Sequence, residues 1–314
     1  MKSRRVSILE LKHAKVKFNL NKVACVNKLP KRNDSFQKIL VAVDGSTTCL
    51  LAEELTAALA KKFQSKVTVA HAVPKQPIDL GVSTPSDIPK SVLAEVSEWL
   101  VSKGEEIIRN SQALFREEGV EVDAKLLEGD PAESIIRLAA GEKHDLIVMG
   151  NRGETEVEVY SLGSNAEKIV RHAECSVLIV KEKTRISRIL AAIDGSKNSI
   201  KSLQRAADLA STFDAKITVM YIMECGLFGL KPKAAQDAGE RIFSKALEEV
   251  KKIKVTKRLE SGSPSEKIIE VAKNEGYDLI VVGSRGLSRT ERFFLGSVSD
   301  DVSHHAPCSV LVAR

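Results

Sequence analysis

Lys38-Ile-Leu-Val-Ala-Val-Asp-Gly-Ser46 returns 150 residues later as Arg188-Ile-Leu-Ala-Ala-Ile-Asp-Gly-Ser196. Each is a short apolar run of β-branched and aliphatic residues closed by a turn signal, which is the pattern of a buried strand. The likeness extends outward. His144-Asp-Leu-Ile-Val-Met-Gly150 matches Tyr277-Asp-Leu-Ile-Val-Val-Gly283, and Cys175-Ser-Val-Leu-Ile-Val180 matches Cys308-Ser-Val-Leu-Val-Ala313, both at an offset of 133. Two copies of one module account for this. The fall from 150 to 133 places 17 extra residues in the first copy, between His71 and Gly129. Val73–Lys90, with Pro74, Pro77, Pro85 and Pro89, reads as a long loop there. The second copy crosses the same place over 224–232. The join, Lys181–Ile186, holds four charges in six residues and leaves little slack, so the modules are expected to pack together.

Within each copy, apolar runs alternate with helical patterns. In the second, strands are expected at Arg188–Ile193, Ile217–Ile222, Ile253–Leu259, Leu279–Val282 and Ser309–Val312. Helices are expected from the spacing of Leu203, Ala206, Ala207 and Ala210, at Ala234–Val250, from Ser263-Pro264-Ser265-Glu266 onward, and at Ser297–His305. Ser263 can cap, Pro264 suits the first helical position and Glu266 can complete a capping box. Near-continuous apolar strands alternating with helices imply a parallel sheet covered on both faces. The fold class is therefore α/β, with two tandem five-stranded parallel-sheet sandwiches. The domains are a basic N-terminal arm at 1–35, a first module at 36–182 and a second at 186–314.

The chain of 314 residues is 29 % charged and 43 % hydrophobic, the profile of a soluble globular protein. No apolar run reaches the ~18 residues of a membrane span, and no apolar core follows the basic start to make a secretory signal. The five cysteines, Cys25, Cys49, Cys175, Cys225 and Cys308, are odd in number and lack a C-x-x-C pair. A disulfide framework or zinc site is not expected, and a cytoplasmic location is. Of the net charge of +6, residues 1–35 contribute +8, so the remainder is −2. That arm alternates at Lys15-Val16-Lys17-Phe18-Asn19-Leu20-Asn21. It reads either as an edge-pairing or poorly ordered extension or as a segment for an anionic surface. With Phe18 alone, base stacking lacks support.

In open α/β sheets, ligands sit beyond the carboxyl ends of the strands. Two features fall there in each copy. One is the strand-ending Asp-Gly-Ser, at Asp44 and Asp194. The other is a glycine array: Gly150-Asn-Arg-Gly153, nine residues, then Gly163-Ser164, and Gly283-Ser-Arg-Gly286, nine residues, then Gly296-Ser297. Glycines let the backbone approach phosphates, and the closing Gly-Ser opens a helix whose free amides favour an anion. A strand-end Asp can accept from ribose or base. Asp44 and Asp194 are also suited to capping the next helix, and Arg152 and Arg285 to solvent.

The pattern G-x-x-G-x₉-G-[ST], the V-D-G-S strand end and the closing C-S-V-L strand resemble the universal stress protein family, over nearly all of 36–314, twice. The resemblance implies a Rossmann-like, adenine nucleotide alpha hydrolase-like fold of strand order 3-2-1-4-5. It also implies ATP binding in some members, with Mg or Mn on the phosphates, and pairing of modules within one chain or as homodimers. By position it assigns Asp194, Ile222, Gly283, Arg285, Gly286, Gly296, Ser297 and Val298 to one site, and Asp44, Ala72, Gly150, Arg152, Gly153, Gly163 and Ser164 to the other.

The two arrays differ. Residues 151–164 hold Arg152 against Glu154, Glu156 and Glu158, a balance of −2, whereas 284–297 hold Arg285, Arg289 and Arg292 against Glu291, a balance of +2. A triphosphate is expected to prefer the second, moderated by screening. Cys175 and Cys308 read as small core residues and His304-His305 as a helix end favoured by the dipole. There is no P-loop, no kinase signature and no evident general base. The leading expectation is an ATP-binding stress-response module that is not a fast ATPase. The alternatives are a weak ATPase or nucleotidyl-transfer enzyme, and a nucleotide-free adaptor regulating a transporter or other partner.

Overall fold

The computed structural model describes residues 35–74, 90–153, 162–182, 184–223, 232–250, 253–286 and 295–314, all in one compact unit. The basic arm, the proline-rich stretch after Pro74 and the charged inserts of both glycine arrays lie outside the described residues.

The first half runs β1 (Lys38–Ala42), α1 (Thr47–Phe63), β2 (Lys66–Val73), α2 (Lys90–Glu117), β3 (Val122–Glu128), α3 (Pro131–Gly141), β4 (Leu146–Gly150), α4 (Ser164–His172) and β5 (Ser176–Val180). The second repeats it as β6 (Arg188–Ile193), α5 (Lys197–Phe213), β7 (Lys216–Met223), α6 (Pro232–Glu248), β8 (Val255–Ser261), α7 (Pro264–Glu275), β9 (Leu279–Gly283), α8 (Ser297–His305) and β10 (Ser309–Ala313). Ser46 and Ser196 start α1 and α5 alike. Each accepts a hydrogen bond from the amide three residues on, Cys49 at 3.2 Å and Ser199 at 3.1 Å. No described helix is long and apolar enough to cross a membrane.

One sheet of ten strands results, in the order β3-β2-β1-β4-β5-β10-β9-β6-β7-β8. Each half keeps the order 3-2-1-4-5 with parallel neighbours. The halves join where β5 and β10 pair antiparallel, Leu178 opposite Leu311. Alternate residues of the strands feed two cores, each shared by both halves. One lies under α1, α2, α5 and α6 and the other under α3, α4, α7 and α8. The Asp of each His/Tyr-Asp-Leu-Ile run ties down the first strand of its half. Asp145 accepts from the amides of Gln37 (2.7 Å) and Lys38 (3.3 Å), and Asp278 from those of Ser187 and Arg188 (both 3.0 Å).

Reciprocal clamps cross the seam. Lys181, just after β5, donates its Nζ to the carbonyls of His304 (3.2 Å) and Ala306 (2.8 Å) at the end of α8. Arg314, just after β10, donates to the carbonyls of Val170 (2.6 Å) and Cys175 (3.2 Å) at the end of α4. A cation at a helix carboxyl end satisfies orphan carbonyls and favours the dipole. Arg171 of α4 adds an ion pair to Asp300 of α8 at 2.9 Å.

One expectation fails locally. Ser263 precedes α7, but its side chain makes no cap bond. Its ψ is 121°, against 163° and 161° at the serines that do cap, Ser46 and Ser196. In the first half the longer Asp130, at a ψ of 125°, reaches the Glu133 amide at 3.0 Å.

Candidate ligand site

At the carboxyl end of the first half-sheet, β1, β2 and β4 stop beside the starts of α3 and α4, leaving a cavity of about 250 Å³. All seven residues assigned to this half from the sequence line it: Asp44, Ala72, Gly150, Arg152, Gly153, Gly163 and Ser164. Its floor is apolar and was not foreseen: Ala42, Ala70, Met149, Ile135 and Ile169, with Pro131 at the rim. The signal for Ala70 was available, because it shares a strand face with Ala72.

Local chemistry fixes the polar wall. Gly45, at a φ of +82°, turns the chain after Asp44. Asp44 then accepts the Ser46 amide on Oδ1 at 2.9 Å. Its Oδ2 faces Gly153, where a Cβ would come within 3.2 Å of it. Ser46 and Thr48 both donate hydroxyl hydrogen bonds to the Arg152 carbonyl, at 3.1 and 2.8 Å. A peptide's N–H points opposite to its C=O. The Gly153 amide is therefore turned away from α1. Gly163 is the N-cap of α4 and carries no side chain to accept from the first-turn amides, which suits an anion there. Beside this rim, Asp130 is held below the usual carboxylate range by the Glu133 amide and by Lys168, whose Nζ lies 3.2 Å away.

The second half repeats the plan. Asp194 accepts the Ser196 amide at 2.9 Å after Gly195, whose φ is +83°. A Cβ on Gly286 would sit 2.8 Å from Asp194 Oδ2. The Gly296 amide donates to the Ser284 carbonyl at 2.9 Å, which brings the end of the array back over its beginning, beside Arg285. Gly296 caps α8 without a side chain, and Ser297 and Val298 are the first residues of that helix. Ile222 and Val298 belong to the core on this face. Gly283 lies against the backbone of Asn198, 3.3 Å from where its Cβ would be.

Gly296 differs from these neighbours. Its φ is −68° and ψ 147°, open to any residue, and among the described residues a Cβ there would meet nothing closer than 3.6 Å. Among the described residues, neither conformation nor packing demands a glycine at 296. Among the described residues no cluster of three or more His, Cys, Asp or Glu is placed to hold a metal.

Two consecutive segments, 35–181 and 185–314, each match the universal stress protein family. The chain is a member of the universal stress protein family. It is 35 % identical over 147 residues to a universal stress protein of Methanocaldococcus jannaschii, covering 47 % of this chain and 83 % of that one. A universal stress protein of Mycobacterium bovis aligns along both halves, 25 % identical over 295 residues, covering 88 % of this chain and 96 % of the relative. Among solved structures, a universal stress protein from Archaeoglobus fulgidus shares the fold with a TM-score of 0.65 at 22 % identity, over 88 % of this chain and 96 % of that chain.

Proposed function

We propose that each half binds an adenine nucleotide, with ATP and a divalent ion on its phosphates as the preferred form, and that the chain acts as a nucleotide-dependent stress-response module. The observation that carries this reading is the meeting of the glycine array, the strand-end Asp44 and a side-chain-free helix start around one cavity with an apolar floor. The floor suits a flat base, Asp44 a ribose or base donor, and the glycine-capped helix the phosphates. Gly296 supports the same assignment in the second half. An Mg or Mn ion would neutralise phosphate charge, with the phosphates as its main ligands.

The halves are not equivalent. Asn165 lines the first cavity where the second half has Val298, and the array of the first half is acidic where that of the second is basic. ATP binds more tightly in the second half. Mass spectrometry of nucleotide released from the purified protein tests occupancy. A steady-state phosphate-release assay separates binding from turnover, and release well above background would favour the enzyme reading. Gly163→Val and Gly296→Val, made separately, test the asymmetry, with the greater loss of bound nucleotide expected from Gly296→Val. Equal losses would remove it.

A further inference from the structure

The repeat exposes a side chain that the ligand site does not use. Glu53 on α1 is only 2 % exposed, within the shared core beneath α1 and α2. Its repeat partner, 150 residues on, is Leu203, fully buried. Across from Glu53, Ser111 of α2 is 3 % exposed and donates a short hydrogen bond to Glu53 Oε1. The counterpart of Ser111 is Ala246, found by aligning the helices on Gly104 and Gly239. A Cβ on either would strike a third-strand leucine, Leu126 or Leu259, and would lie beside the ring at position 71 or 221. Ile107 and Ile242, which face Gly45 and Gly195, keep the same register. The second half thus has a buried leucine and a buried alanine of the same core where the first pairs a carboxyl with a hydroxyl.

The surroundings oppose ionisation. Burial pushes the Glu53 carboxyl up to about 7, helped by the charges of Asp44 at the end of β1 and Glu54 beside it on α1. Ser111, and Cys49 with its Sγ at 3.9 Å, pull the other way. Of the strands packed against α1, β4 and β5 carry no charged residue, while β1 carries Lys38 and β2 carries Lys66 and His71. On α2 the charged residues nearest Ser111 in sequence, Glu106, Arg109 and Arg116, are all exposed.

We propose that this contact is a proton-operated latch: a protonated Glu53 closes α1 on α2, and its ionisation loosens the start of α1 and the turn at Arg152. The link to that turn is short. Thr48, about 7 Å along the helix from Glu53, and Ser46 hold the Arg152 carbonyl, and Ser46 also accepts the Cys49 amide. The sign follows from the direction of the shift. The carboxyl prefers to stay protonated in the folded state, so the latch is fully stabilising below the ordinary range of a glutamate. It is lost as pH rises through about 7.

The test compares the full chain with Glu53→Gln and with Glu53→Leu/Ser111→Ala, which copies the second half. The ¹³C-carboxyl titration of Glu53, assigned by its loss in Glu53→Gln, is expected to have its midpoint near neutrality. Relative to the double variant, the folded-to-unfolded ratio of the wild type falls on the order of 100-fold across the window, at most about tenfold per pH unit. Amide exchange at 47–50 and 150–153, corrected for the intrinsic pH effect, rises with pH in the wild type and stays flat in the variants. Should the double variant not fold, Glu53→Gln, neutral and of the same shape, carries the comparison. A carboxyl titrating near 4.5, pH profiles that coincide, or exchange at 150–153 indifferent to pH each overturns the latch. No nucleotide enters the experiment, so its outcome is independent of the ligand assignment above.

Discussion

Glycines of the two arrays serve different masters. A Cβ on Gly150 would lie 2.9 Å from the backbone carbon of Thr48 and 3.0 Å from the Cys49 amide nitrogen, so this glycine exists for the packing of α1 against β4. Among the described residues, Gly296 has only ordinary contact distances around it, 3.6 Å or more. The two roles predict opposite behaviour. Gly150→Ala is expected to destabilise by about 1–3 kcal/mol, as overpacking against backbone does, with or without nucleotide. Gly296→Ala is expected to leave stability within about 0.5 kcal/mol while weakening nucleotide retention. Thermal melts with and without ATP separate them. A Gly296→Ala protein as unstable as Gly150→Ala would remove the argument that a ligand explains this glycine.

At the scale of elements, the clamps on α4 and α8 carry a titration of their own. Lys181 is 5 % exposed, and its burial lowers the ammonium to about 8 although two carbonyls accept from it. A folded-state value below the unfolded one means that the charged form is the costly one. Its penalty is complete below pH 8 and relieved between pH 8 and the ordinary lysine range. Cys49 and Cys175, pushed up by burial, titrate in the opposite sense, so only a difference is informative. The wild type is expected to gain roughly 2–3 kcal/mol relative to Lys181→Met between pH 8 and 10.5. Parallel denaturant curves at three pH values would check this, and parallel pH profiles would contradict it.

The same elements show what was legible in the sequence. β6 and α8 fall at the residues expected, because a strand buried on both faces and a Gly-Ser helix start leave little choice of boundary. β8 runs two residues later than expected, at Val255–Ser261. It is an edge strand with a half-exposed, mixed pattern, and its ends are fixed by pairing with β7 rather than by its own residues. The residues assigned to the first site converge on one cavity because motif spacing placed them at strand ends, whereas Ile135 and Ile169 of the apolar floor come from helices whose approach no spacing reports. Glu53 was missed although aligning the copies at 150 sets it against Leu203. The repeat was read for what the copies share, and this signal lies in a difference.

For the whole molecule, the open question from sequence was how two modules pack, and the seam answers it with main chain. β5 and β10 are buried along their full length. As edges of separate domains, Ser176–Val180 and Ser309–Ala313 would be flat, apolar and uncharged, the kind of strand that invites aggregation. Paired, they make one sheet, and Leu178 and Leu311 sit opposite each other in a core that includes residues of α1 and α5 alike. A chain of this length commonly unfolds domain by domain, but neither half here can open without exposing the edge and core of the other. The full chain is therefore expected to unfold in one calorimetric transition with matching calorimetric and van't Hoff enthalpies. Leu311→Ala is expected to cost about 2–5 kcal/mol and to move that single transition downward without splitting it. Two resolved peaks, with only the second-half peak displaced by Leu311→Ala, would mean that the seam joins two independently folded bodies rather than forming part of a common core.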